Sequence, residues 1–272
     1  MRSLHRALII FWLAAIAGFI FVAWNAWQTW LHNGEPAVVT GYTLAGIFVF
    51  LTLFNMRKRL SMIPLGRGAY WTAAHGVAGI FAIAVFFVHT NGVFWPDGAY
   101  EQLFTVLFYL VSLSGILGYW LQRIMPKRLT DNGMEIIWER IPNELSDIRD
   151  QAEAIVEEAA DKAASDTLAQ YYIETLAWFF RRPRFMFSHF FGAQSGRAWI
   201  RREFTAMRRY VDDTEETYLR QLEDLAQIKN RLDFAYAVNG FLKIWLLFHV
   251  PLAVGIFLVM IWHIILVHVY LL

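Results

Sequence analysis

Apolar residues in this chain gather into five runs, at roughly 7–30, 37–55, 71–90, 102–122 and 241–271. Each is close to the about 20 helical residues needed to cross a hydrocarbon layer about 30 Å thick. The pattern predicts an all-α integral membrane protein with five transmembrane helices. Between the fourth and fifth runs the pattern changes. From Met125 to Asn239, apolar residues recur at three- and four-residue spacing among charges, which predicts amphipathic helices. "PNELSDIRDQAEAIVEEAADKAA" opens with Pro and Asn as a capped helix does, and "TLAQYYIETLAWFF", "GRAWIRREFTAMRRYV" and "DTEETYLRQLEDLAQIKNRLDFAYAV" follow, with breaks at Pro183 and "GAQSG". The expected organisation is four transmembrane helices in 1–124, a helical insertion in 125–239, and a fifth transmembrane helix in 240–272. The last helix of the insertion is expected to run straight into the fifth span.

Composition agrees with this division. The chain of 272 residues is 57% hydrophobic and 17% aromatic, a balance seldom found in a soluble domain of this length. Of 24 Lys and Arg, 17 lie between Arg123 and Arg231, and of 23 Asp and Glu, 20 lie between Asp131 and Asp233. The basic residues that flank the apolar runs set an orientation, because short cytoplasmic loops retain positive charge. Arg2 and Arg6 precede the first run, Arg57, Lys58, Arg59 and Arg67 separate the second and third, and Arg123, Lys127 and Arg128 follow the fourth. The loops "LHNGEP" and "TNGVFWPDGAY" hold neither Lys nor Arg. A multi-pass protein of the inner (plasma) membrane is expected, with its N-terminus and insertion in the cytoplasm and its C-terminus outside. The first run is too long and too rich in Trp for a cleavable signal peptide. Within the insertion, "DDTEET" reads as a solvated helix start. "RRPRFMFSHFF" reads as a membrane-surface segment, with a quinone head group as the lesser alternative.

The candidate chemistry lies in histidine. With no cysteine, disulfides, thiolate zinc sites, iron–sulfur clusters ligated by cysteine and c-type haem attachment are excluded. The eight histidines are His5, His32, His75, His89, His189, His249, His263 and His268. Four form matched pairs: His75 and His89 stand fourteen residues apart in the third run, as do His249 and His263 in the fifth. Fourteen residues make nearly four helical turns, so each pair returns to one face within about 40° after a rise of about 21 Å. Both helices run in the same direction in the expected topology, so His75 meets His249 at an inner level and His89 meets His263 at an outer one. Two facing imidazoles suit the axial positions of a haem iron, and intramembrane ionisable residues usually mark a function. His268 falls about 100° away from His249 round the helix and is expected outside this row. No carboxylate accompanies the four, which disfavours a non-haem metal site. Gly41, Gly46, Gly76, Gly79, Gly115, Gly118 and Gly255 would admit a flat ligand close to the backbone or serve helix packing equally well. Pro251 is expected to kink the fifth helix just past His249.

These residues resemble the dihaem b-type cytochromes, in particular the four-helix core of cytochrome b of quinol–cytochrome c oxidoreductases, where two helices each carry two such histidines and bind two stacked haems. On that resemblance His75, His89, His249 and His263 are the axial ligands, and helices two to five form the core. The chain departs from that family in its insertion and in lacking the Pro-Glu-Trp-Tyr motif of the quinol site. It is also similar to the dihaem membrane subunits of bacterial respiratory complexes, whose terminal chemistry belongs to a separate protein.

The expected function is electron transfer across the membrane between the quinone pool and a periplasmic redox protein, through two haem b groups: His75 and His249 on the inner iron, His89 and His263 on the outer. The resemblance implies a subunit of a hetero-oligomeric, quinol-linked oxidoreductase whose outer partner is a multihaem cytochrome c or an iron–sulfur subunit. No G-x-G-x-x-G fingerprint is present, and nucleic acid is not an expected partner. Two alternatives stay open, a haem-free transporter in which the histidines relay protons and a membrane scaffold for a larger complex.

Overall fold

The computed structural model describes residues 2–59, 66–131, 138–163, 165–192 and 194–270, with no strand among them. Residues 132–137 of the insertion, the chain end at 271–272 and the side chains of Arg57, Lys58 and Arg59, which enter the orientation argument, lie outside the described residues. Five helices are long and apolar enough to cross a membrane: α1 (Arg2–Leu31), α2 (Pro36–Arg59), α3 (Gly68–His89), α4 (Ala99–Asp131) and α10 (Asp213–Tyr270). The chain divides into two compact units, residues 1–120 with 245–272, and residues 121–244.

In the first unit, α1 and α3 both stop on a left-handed asparagine. Asn33 has φ 56° and Asn91 φ 50°. The amide of Gly34 donates to the Thr29 carbonyl at 2.8 Å and that of Asn33 to Trp30 at 3.1 Å. Gly92 to Phe87 and Asn91 to Val88 repeat the pattern. These are Schellman caps, which end a helix by satisfying its last carbonyls. Helices α1, α2 and α3 pack on one another, with Val22, Leu44, Phe48, Val85 and Phe86 buried together with Phe108 of α4 and Ile256 and Met260 of α10. Phe86 stacks on Phe108 with centroids 3.9 Å apart. Much of α1 outside this seam is exposed and apolar, including Ile9, Ile10, Leu13, Ile20 and Phe21, as expected of a helix that meets hydrocarbon rather than water.

The second unit is built from α5 (Ile141–Lys162), α6 (Thr167–Tyr171), a π-helical turn (Tyr172–Leu176), α7 (Ala177–Arg181), α8 (Met186–Phe191), α9 (Ser195–Met207) and the first half of α10. Ile148, Ala152, Val156 and Ala159 line one stripe of α5 and meet Leu168, Phe179, Phe204, Leu219 and Leu222 in its core, an amphipathic arrangement at three- and four-residue spacing. Pro183 ends the α7 segment, and the chain turns at Phe185, a non-glycine residue at φ 57°. Pro251, by contrast, lies inside α10 without ending it, and α10 is continuous from Asp213 to Tyr270.

The run "DDTEET" starts α10, but Glu215 is not solvated as its charge suggests. Asp212 Oδ1 accepts from the Glu215 amide at 2.7 Å and Glu215 Oε2 from the Asp212 amide at 3.3 Å, a reciprocal capping box. The other Glu215 oxygen accepts from the Leu168 amide at 2.9 Å. Two backbone amides, of Asp212 and Leu168, hold the Glu215 carboxylate inside.

Candidate functional site

At one end of the first unit, the imidazoles of His89 on α3 and His263 on α10 face each other edge to face, centroids 6.5 Å apart and planes at 85°. Two imidazoles holding one ion between them, each through a nitrogen at about 2.0–2.1 Å, would need room of this order between their rings and a ring nitrogen of each turned towards the ion. The two rings line a cavity of about 350 Å³ whose walls come from α2, α3, α4 and α10, including Gly41, Phe104 and Phe108. Tyr100 stacks near His263 at 6.1 Å and Phe104 meets it edge-on at 5.3 Å.

The tautomer of His89 follows from its neighbours. Thr40 Oγ donates to the Pro36 carbonyl at 3.0 Å, or to Ala37 at 3.3 Å, so its oxygen is left to accept from His89 Nδ1–H, 3.0 Å away. The Ala37 carbonyl is a second acceptor within reach of the same ring. Nδ1 therefore carries the proton, and the Nε2 lone pair is left for a metal, the usual division of labour in a ligating histidine. Gly41 keeps the backbone of α2 clear of this ring: a Cβ there would sit 3.1 Å from His89 Cε1.

At the other end, His249 Nδ1 lies 3.2 Å from Ser114 Oγ and stacks on Trp245 at 5.1 Å. Trp245 Nε1 donates to the Ser114 carbonyl at 2.8 Å. A Cβ on Gly115 would stand 3.6 Å from His249 Cε1, and one on Gly118 would overlap the Trp245 ring. His75 lies within electrostatic range of His249 and 4.8 Å from the Phe54 ring. Its Nδ1 is buried with no hydrogen-bond partner, an arrangement that costs about 1–3 kcal/mol. His89 and His263 thus form a ring pair, and His75 is a neighbour of His249.

Several polar residues besides the four histidines stand at these rings. Thr40 and Ser114 each hydrogen-bond a histidine and each directly precede a glycine that abuts it. His268 stands off the histidine row, yet it lines the same cavity, with Tyr42 Oη 2.6 Å from its Nε2 and the Ile264 carbonyl 2.8 Å from Nδ1. The carbonyl accepts from Nδ1–H, so Tyr42 donates to Nε2. Glu101 and Thr105 complete the polar lining. Among the described residues no group of three or more His, Cys, Asp and Glu side chains converges to hold an ion. A metal at His89 and His263 would have to bring further ligands with it, as a porphyrin does.

His189, expected at the membrane surface, is instead buried in the second unit, 5% exposed, between Phe185 and Phe234. Burial, reinforced by the charges of Lys229 and Arg197, lowers its pKa to about 4. Nearby Lys229 and Asp233 are both fully buried and 2.6 Å apart. Lys229 Nζ also donates to the Arg182 carbonyl at 2.7 Å, and Asp233 accepts from the Arg184 amide at 3.1 Å. This ion pair satisfies the backbone on both sides of Pro183. Burial pushes the Asp233 carboxyl up to about 6 against the pull of Lys229, and lowers the Lys229 ammonium.

The chain matches no protein-family model, no curated protein and no solved structure. What defines its class is the fold itself: an all-helical protein with several helices of membrane-spanning length and composition.

Proposed function

We propose that the chain is a dihaem b-type cytochrome subunit of an inner-membrane, quinol-linked oxidoreductase, resembling the four-helix haem core of cytochrome b. Its five apolar helices cross the membrane with the N-terminus and the insertion in the cytoplasm. The observation that carries the reading is the neighbouring pair His89 and His263 beside one cavity, with Nδ1 of His89 occupied and Nε2 available. His75 and His249 hold the second group at the inner level. When bound, haem supplies a one-electron iron couple, and two such groups in series suit transfer between quinone and a periplasmic cytochrome c or iron–sulfur protein. The chain's own part is to hold the ligand rings, to set the His89 tautomer through Thr40 and orient His249 through Ser114, and to line the cavity beside His89 and His263 with Phe86, Phe104 and Phe108.

The deciding experiment is a reduced-minus-oxidised spectrum of the purified protein, titrated over potential, with haem extraction. Two low-spin b-type transitions are expected, and His263→Ala and His249→Ala should each remove one of them. Full activity of the complex without stoichiometric iron would overturn the proposal in favour of a haem-free proton relay, for which Thr40, Tyr42 and His268 are the polar groups at hand.

A further inference from the structure

The basic, Phe-rich stretch around Pro183 has no part in the haem reading, yet its structure is unusual for a domain in water. Helix α8 shows solvent two phenylalanines one turn apart, Phe187 at 73% and Phe191 at 76% exposure. Residues four apart share a helix face, so together they form one apolar ridge. The other side of α8 is fixed. Phe190 packs on Phe241 of α10 with centroids 4.1 Å apart, and the exposed Phe187 borders the same ring at 5.9 Å. Arg128, near the end of α4, donates to the Phe190 carbonyl at 3.1 Å, and its guanidinium lies against the left-handed Gly192 that closes α8.

The position of Phe241 says what covers this ridge. Phe241 is where α10 changes from a charged sequence to the apolar run that ends the chain, four residues before Trp245. A segment clamped on Phe241 therefore sits at the level where that helix enters hydrocarbon. The neighbouring residues have the chemistry of that level. Lys243 lies over the Trp138 ring at 4.5 Å, Trp138 stacks on Tyr236 at 4.9 Å, and Lys127 is exposed near Arg128. Aromatic belts with basic residues mark the cytoplasmic interface of membrane proteins. Exposed apolar side chains rimmed by such residues suit lipid headgroups and the first acyl carbons better than water.

We infer that α8 is an interfacial anchor, inserting Phe187 and Phe191 into the cytoplasmic leaflet and pinning the insertion to the membrane surface beside α10. The inference rests on the reading of α10 as membrane-spanning, and not on the haem assignment. Because the chain has no cysteine, Phe187→Cys, Phe191→Cys, Leu247→Cys and Tyr210→Cys can each take a single nitroxide in the full chain. The labelled proteins are reconstituted in phosphatidylethanolamine–phosphatidylglycerol nanodiscs, and collision with oxygen is compared with collision with a water-soluble nickel chelate. Leu247 lies exposed on the apolar part of α10. Tyr210, also exposed, adjoins the start of α10, about 40 Å along the helix from Phe241. The oxygen-to-nickel ratio at 187 and 191 should be several-fold above that at 210 and approach that at 247. If 187 and 191 behave like 210 while 247 remains lipid-exposed, the anchor is overturned and the span stands. If 247 is water-exposed too, the span fails and the anchor with it.

Discussion

Thr40 and His89 are joined by a 3.0 Å hydrogen bond in which the imidazole Nδ1–H donates, because the threonine proton is committed to a carbonyl of its own helix. The bond fixes the ring's orientation and makes Nε2 more basic, as outer partners of ligating histidines do. Thr40→Val keeps the shape and removes the acceptor. If the His89–His263 pair holds a haem as proposed, the variant should bind it about 10- to 100-fold more weakly. The midpoint potential of that haem should rise, since a less basic ligand stabilises ferric iron less. The other transition in a potentiometric titration should stay in place. Movement of both, or of neither, would contradict the assignment of Thr40 to one site.

At the opposite end, Gly118 makes room for Trp245, which stacks on His249. Gly118→Ala would place a methyl group inside the indole, so the ring must shift and the His249 imidazole with it. Overpacking of this kind typically costs about 1–3 kcal/mol. On the dihaem proposal, the expected result is selective loss of the haem placed at His75 and His249, read from the pyridine haemochrome stoichiometry. Trp245→Phe in the Gly118→Ala background, by shrinking the ring, should recover part of it.

The five apolar runs and the fourteen-residue histidine spacing were legible because membrane-length hydrophobicity and helical period are properties of a single segment. The partners of the histidines were less so. Thr40-Gly41 and Ser114-Gly115 are two hydroxyl–glycine doublets in apolar helices, each abutting one histidine ring. Either reads as ordinary helix packing until the neighbouring helix is in place. His268 shows the limit of one-helix reasoning: it is off the histidine row, yet reaches the same cavity through Tyr42, 226 residues away. In the insertion, the charge of Glu215 suggests solvent, yet it is buried, as are Lys229 and Asp233. Each is also held by backbone groups distant in sequence, Leu168 for Glu215 and the chain around Pro183 for the pair. The short α8 was hidden because its ends are set by Phe185 and Gly192 in left-handed conformations and not by periodicity.

Lys229 and Asp233 show why the buried pair matters to the segment around Pro183. Lys229→Ala leaves a buried carboxylate without its counter-ion and the Arg182 carbonyl without its donor, and should cost about 3–5 kcal/mol. Replacing both residues by apolar ones of similar size, Lys229→Met with Asp233→Leu, removes both charges and should cost much less. It still strands the Arg182 carbonyl and the Arg184 amide. The double variant should therefore keep the fold of the second unit while amide exchange accelerates at Arg184 and through α8. A double variant as unstable as Lys229→Ala alone would show that the packing of these chains, and not charge pairing, dominates.

The same region should respond to pH through two opposed groups. His189 has its pKa lowered from 6.5 to about 4, so the folded state binds fewer protons than the unfolded one. Its contribution is complete above about pH 6.5 and is lost as pH falls towards 4. Asp233 is raised from 3.8 to about 6, so the folded state binds more protons. Its contribution is complete below about pH 3.8 and is lost as pH rises through 6. A tenfold change in proton affinity is worth about 1.4 kcal/mol, so each group contributes up to about 3 kcal/mol, and the two nearly cancel between pH 4 and 6. Against the wild-type profile, Asp233→Asn should unmask the histidine and lose stability steadily as pH drops from 6.5 to 4. His189→Gln should do the reverse and gain stability on acidification over the same interval. Amide-exchange protection of α9, followed in the full chain, reads both slopes, and equal slopes in the two variants would refute the opposition.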